Sequence, residues 1–202
     1  TPVLNSIPKH IEKVNITMGM PLYQSPVTDF FTTLIDHQKS NKEALDYNFL
    51  QKLSEHDLLN HTKFSQLKEM LSYMITNNLK SISLEKLNSL GNYNPEIQSL
   101  FKALDINLNP LGFTNSLLHA IDILLDVKEQ LFKQYLIAFK NVFKDLKNTL
   151  QEYSHLSFMA FNLLFKEKTE SQKLSFKGSK LKGLQIMGML ETRLLDFDNI
   201  IL

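Results

Sequence analysis

The sequence predicts a mainly α fold, with a few short strands supplied from both ends of the chain. Three observations carry this. Apolar residues recur at i, i+3 and i+4 from Ser25 to Phe165, the spacing of one helix face. Glycine and proline are sparse, at six each in 202 residues, a balance that favours helices. Strand-like runs stand near the two ends, at Val14-Asn-Ile-Thr-Met18 and Leu184–Met189.

In order, residues 1–25 read as loop with the strand Val14–Met18, ended by Gly19 and Pro21. Ser25-Pro26 opens a helix carrying Phe30, Phe31, Leu34 and Ile35, because proline is tolerated in a first turn. Lys39–Lys42 breaks it, and Tyr47, Leu50 and Leu53 mark the next face. Asn60-His-Thr62 is a break and a cap. Phe64, Leu67, Met70, Leu71, Met74 and Ile75 form a clean helical series, stopped by Asn77-Asn78. Ser83–Leu90 reads as a short helix capped by Ser83 and ended by Gly91, and Asn94-Pro95 begins another. Asn107–Gly112 reads as a turn around Pro110. A series from Leu117 to Leu150, capped by Thr114, predicts one helix of ~30 residues, on the order of 45 Å long, as the spine of a bundle. Ser154 caps a last helix carrying Leu156, Met159, Phe161, Leu164 and Phe165. No internal repeat is expected.

The chain length allows one domain or one and a half, and 43% apolar residues suffice for a core. A net charge of +1 gives no global pull toward nucleic acid, so any such contact has to come from a local patch. The absence of cysteine excludes disulfides, thiolate metal sites and cysteine nucleophiles, and fits a cytoplasmic protein. No run of ~18 apolar residues exists, so neither a transmembrane helix nor a membrane partner is expected. The start, Thr1-Pro-Val-Leu, reads neither as a signal peptide nor as an initiator, and the strand run near the other end implies a piece of a longer chain.

Two segments carry a resemblance. Leu184-Gln-Ile-Met187, Arg193, Leu195-Asp-Phe197 and Ile200-Ile201 follow the order of motif V of superfamily-1 helicases, V-Q-L-M-T-L-H-x-x-K-G-L-E-F-x-x-V-F. Gly188 replaces its threonine, Leu190 its histidine and Leu194 the glycine after its lysine. This altered form, G-x-L-E-x-R-x-x-D-F, resembles the AddB-type subunit of bacterial helicase–nucleases. So does the preceding Phe176-Lys-Gly-Ser-Lys-Leu-Lys-Gly183, which is similar to AddB-like proteins of the PD-(D/E)XK nuclease family. Asn15-Ile-Thr-Met-Gly-Met-Pro-Leu22 is similar to the AddB-like N-V-T-M-G-Y-P-L segment, at the place of helicase motif IV. There Thr17 takes the position of an arginine that helps bind the nucleotide's terminal phosphate, and a neutral hydroxyl cannot replace that charge.

The resemblance implies a helical 2B-like subdomain, residues 26–178, inserted in a partial RecA-like α/β domain. Residues 1–25 and 179–202 would be the two parts of that 2A-like domain. It implies Asn15 and Thr17 as motif IV-like positions and Gly188, Glu191, Arg193 and Asp196 as motif V-like positions, with Glu191 and Arg193 as scaffold. It implies DNA and an AddA-like helicase–nuclease subunit as partners. ATP and Mg would serve the full-length parent, with no cofactor in this stretch. Walker A is absent here and would lie before Thr1, and the nuclease domain would lie beyond Leu202.

Other constellations are weaker. Asp126-Val-Lys128 and Asp145-Leu-Lys147 have the letters of a nuclease motif, but the expected long helix is the wrong setting, and no catalytic residue is assigned. The six histidines form no H-E-x-x-H, so surface or capping roles are expected and no metal. Lysines crowd residues 166–182. They read either as a solvated loop or, at Lys173, Lys177, Lys180 and Lys182, as phosphate contacts where the helical insertion meets the sheet. The leading expectation is a structural and DNA-guiding module of an AddB-like subunit. The alternative is a stand-alone all-helical protein-interaction module.

Overall fold

The computed structural model describes residues 14–60, 65–91, 93–126, 129–176 and 184–186. These residues are mainly helical. Strand β1, Val14–Pro21, runs through a 3-10 turn at Leu22–Gln24 into α1, Val27–Ser40. Next come β2, Ala44–Asp46; α2, Tyr47–Ser54; α3, Asp57–Asn60; and α4, Ser65–Thr76. They are followed by β3, Ser81–Ser83; α5, Leu84–Ser89; and α6, Pro95–Ala103. The last part holds α7, Pro110–Leu124; α8, Gln130–Glu152; α9, Phe158–Ser171; β4, Lys173–Phe176; and β5, Leu184–Ile186.

The helix starts follow local chemistry. Ser83, Asn94, Asn109 and Ser157 each stand in extended conformation and accept a hydrogen bond from the backbone N–H three residues on. Each satisfies a donor that the first helical turn leaves open. Two starts differ from expectation. Asn109, with Pro110 at the first helical position, opens α7 where a turn was expected, and Thr114 is buried one turn inside, its hydroxyl donating to the Pro110 carbonyl at 2.7 Å. Ser157 rather than Ser154 caps α9.

The single long helix expected from Thr114 to Leu150 is two. α7 closes with the Leu125 N–H donating to Ile121, and α8 begins after Glu129. The short connection folds α7 and α8 back on each other, and the two pack together. Asp126 therefore lies exposed in the turn after α7, not in a helix, whereas Asp145 is exposed on α8.

The core centres on phenylalanines. Phe31 of α1 meets Phe139 and Phe143 of α8 at ring separations of 4.7 and 4.9 Å, and Phe165 of α9 stacks on Phe143 at 5.6 Å. Phe113 of α7 packs edge-on against Phe158 and Phe161 of α9. Leu22, in the turn after β1, is fully buried in the same cluster.

An internal repeat at an offset of 37 residues, where none was expected, relates the units α1–β2–α2 and α4–β3–α5. The chain leaves each first helix through an asparagine in left-handed conformation, Asn41 at φ 50° and Asn78 at φ 51°. Each donates its N–H to the carbonyl three residues back, Gln38 and Ile75. The offset from Asn41 to Asn78, 37 residues, also pairs Leu34 with Leu71, Leu45 with Ile82, Leu50 with Leu87 and His37 with Met74. β2 and β3 are antiparallel, with Leu45 opposite Ile82 at the centre and Ala44–Ser83 and Asp46–Ser81 on either side. Strands of three residues carry one buried side chain each, too little for an alternation to be read.

The second sheet joins the two ends of the described chain in the order β4-β1-β5. β1 is antiparallel to β4, with Met20 opposite Leu174 and Pro21 opposite Lys173, and parallel to β5, with Val14, Asn15 and Ile16 opposite Leu184, Gln185 and Ile186. The stretch expected as strand from Val14 to Met18 thus continues to Pro21, its last residue. No helix among the described residues is long and apolar enough to cross a membrane.

Candidate functional site

The three-stranded sheet holds the sequence-predicted positions that the structure describes. Asn15 lies in the parallel register of β1 and β5, opposite Gln185. Thr17 lies just beyond, between Ile16 and Met20, where the register of β1 against β4 shifts. Such a shift bends a strand locally and re-aims the residues after it. Lys173 is exposed at the start of β4, opposite Pro21, in a strand where a solvated loop was the plain expectation. Gly188, Glu191, Arg193, Asp196, Lys177, Lys180 and Lys182 lie outside the described residues.

Hydrogen bonds tie the sheet to the helices at the end of β1. The Leu22 N–H donates to the Gln172 carbonyl at 2.8 Å, tying the end of β1 to the end of α9. The Thr28 hydroxyl donates to the Leu22 carbonyl at 2.9 Å and lies 3.1 Å from the Ser25 hydroxyl, so the first turn of α1 holds the same corner. Leu174 and Ile186 reach from β4 and β5 onto the helical core.

A second region is a cleft of about 220 Å³ between α1, β2 and α2, lined among others by His37, Lys42, Asp46, Phe49 and Lys52. His37 is 7% exposed, its ring 4.8 Å from that of Phe49. Burial pushes its pKa below the ordinary histidine value. The Leu104 backbone and Asp46 oppose that shift, while Lys42 adds to it. The Leu104 backbone is near the ring, yet Nε2 makes no hydrogen bond of normal geometry. The neutral ring is therefore the stable form. The hydroxyls in the cleft are already committed, Thr33 to the Asp29 carbonyl and Ser40 to the His37 carbonyl, each at 2.7 Å. The carboxylates of Asp36 and Asp46 take Lys39 at 3.0 Å and Lys42 at 2.8 Å. A hydroxyl that donates to a main-chain carbonyl, with no base beside it, is not an activated nucleophile.

The expectation of surface or capping histidines holds for some and not for others. His119 and His155 are exposed. His56 is a cap: its Nδ1 accepts the Leu58 N–H at 3.2 Å and its Nε2 lies 3.0 Å from the Pro26 carbonyl. Those partners fix the neutral tautomer with the proton on Nε2. His37 is buried, against expectation. Its position on the α1 stripe, three residues after Leu34, was the signal in the sequence. Among the described residues no group of three His, Asp or Glu side chains is placed to hold a metal.

Fold and site together define a mainly helical chain with a small mixed sheet drawn from its two ends. No protein-family model, no curated protein and no solved structure matches it.

Proposed function

We propose that this chain is part of an AddB-like helicase–nuclease subunit that processes DNA double-strand ends for recombinational repair. In that subunit it acts as a structural and DNA-guiding module without a complete active site. One observation supports the reading above the others. The two segments that resemble helicase motifs IV and V stand on either side of the helical region, and their first residues are neighbours in one sheet, Asn15 opposite Gln185. In the proposed arrangement β1 and β5 belong to the partial RecA-like domain and α1 to α9 to the 2B-like insertion. Lys173, at the start of β4, and Lys177, Lys180 and Lys182 contact DNA phosphates. The parent is cytoplasmic and works with an AddA-like subunit.

The test is binding of the purified chain to a fluorescent duplex with a single-stranded tail, titrated across salt. Neutralising a phosphate steepens the salt dependence by about 0.9 in log–log slope. Replacing Lys173, Lys177, Lys180 and Lys182 by alanine should flatten it and weaken binding. No binding at low salt would end the DNA-guiding reading. The second reading, a stand-alone all-helical protein-interaction module, draws on Met159 and Leu163, 70% and 64% exposed one turn apart on α9. It takes over if DNA does not bind and serine at both positions changes the sedimentation of the chain.

A further inference from the structure

α8 has a face that its packing role leaves unused. Its buried stripe runs from Phe132 to Leu150 and meets α1, α7 and α9. Along one edge of the solvent side, Lys133, Ile137, Lys140, Lys144 and Lys147 follow one another in steps of four, three, four and three. Those steps place the five side chains in a single row. From Lys133 to Lys147 the row extends ~21 Å at 1.5 Å per residue.

The row is short of acids beyond its start, where Glu129 stands four residues before Lys133. Lys140 bonds to Asp122 of α7. Among the described residues Lys133, Lys144 and Lys147 have no ion-pair partner. Lys140 and Lys144 are four apart and Lys144 and Lys147 three apart, the separations at which like charges on a helix repel. No Asp or Glu occupies the positions three or four residues from Lys144 or Lys147, and Asp145 points to another side of the helix. Exposed amides flank the lysines instead: Gln134, Asn141, Asn148 and Gln151. Lysine with Asn and Gln is the side-chain set that contacts sugar and phosphate. A helix that faced only water would gain from Glu–Lys pairs at these spacings, whereas this one keeps a repulsion that a polyanion would relieve.

We propose that this row is a contact surface for the sugar–phosphate backbone of duplex nucleic acid. The proposal rests on the DNA-guiding reading and moves a principal contact from the strand junction to the spine helix. Duplex is favoured over single strand because no aromatic side chain stands among the lysines for unpaired bases to stack on. The chain as a whole carries a net charge of only +1, so the row is a local concentration of charge.

The test is the combined variant Lys133→Ala, Lys144→Ala and Lys147→Ala, with Lys140 kept because it holds Asp122. Anisotropy with a blunt 20-bp duplex is followed against salt. The log–log slope should become shallower by about 2.7, and affinity should fall alike on unrelated duplex sequences. Circular dichroism checks the fold. Should the triple variant lose helical signal, Lys144→Gln alone should flatten the slope by about 0.9. An unchanged slope, with binding lost only when Lys173, Lys177, Lys180 and Lys182 are replaced, would overturn the proposal and leave the DNA reading standing. No duplex binding by the unaltered chain at low salt would overturn both. Tighter binding of polyglutamate than of duplex at equal charge concentration, weakened in the triple variant, would overturn it in favour of an acidic protein segment.

Discussion

His37→Met should stabilise the chain, and it should do so most at mildly acidic pH. The internal repeat sets the substitution: Met74, the counterpart of His37, is fully buried in the second unit. In the first unit a ring that is 7% exposed carries an Nε2 that makes no hydrogen bond of normal geometry, although the Leu104 backbone lies near. Leaving a buried polar group unsatisfied costs about 1–3 kcal/mol. Methionine is similar in volume, removes that group and places a sulfur near the face of Phe49, a favourable contact. For a chain of this length each kcal/mol moves Tm by about 2–4 °C, so the expected gain is on the order of 2–12 °C. The pH dependence has a definite sign. The folded pKa of His37 lies below 6.5, so the unfolded chain takes up the proton first as pH falls. Stability is fully present above pH 6.5 and is lost as pH falls through the folded pKa. The variant lacks that contribution and should lose less stability on acidification, while His56, lowered in the same direction by burial, keeps part of the slope. Urea unfolding followed by circular dichroism between pH 5 and 7.5 measures both effects. A variant less stable than the parent at pH 7.5, or one with the same pH slope, would refute the reasoning.

Two further outcomes follow from the core and the turns. Phe143→Ala removes a fully buried ring that touches Phe31, Phe139 and Phe165, and should cost about 3–5 kcal/mol in urea unfolding. A loss under about 1 kcal/mol would mean that the aromatic centre is not the core. Asn78→Gly should be near neutral because φ is positive there, whereas Ser83→Ala should cost about 1 kcal/mol by removing the acceptor for the Lys86 N–H.

Much of the helical order was legible because its signals are local. Ser83 and Asn94 announce caps within three residues, and Leu67, Met70, Leu71 and Met74 share one buried face. The break between α7 and α8 was not legible, since both helices bury the same kind of stripe and the periodicity runs on through the turn at Leu125 and Asp126. The start of α7 is ambiguous in the sequence because Pro110 signals a turn and a first helical position alike. Of the candidate site, the strand character of Asn15 and Thr17 was readable from the apolar run around them. That Asn15 would meet Gln185 was not, because pairing across the whole chain leaves no local mark. The row on α8 was hidden for another reason: a lysine every three or four residues is also what the solvent face of an amphipathic spine looks like.

The pairing of β1 with strands made so much later imposes an order on folding. Closing a flexible loop from Ile16 to Ile186 would cost on the order of 4.5 kcal/mol in chain entropy before any strand contact repaid it. Once α1 and α9 have docked, most of that loop is already closed, because the Leu22–Gln172 bond brings the ends of β1 and α9 together. β4 can then zip along β1 from Pro21 and Lys173 toward Ile16 and Phe176. On the ribosome, β1 has to wait while the helices are made, roughly 8–30 s at about 5–20 residues per second. During that interval its backbone donors and acceptors stand unpaired, so the nascent chain is most open to mispairing before α9 has emerged.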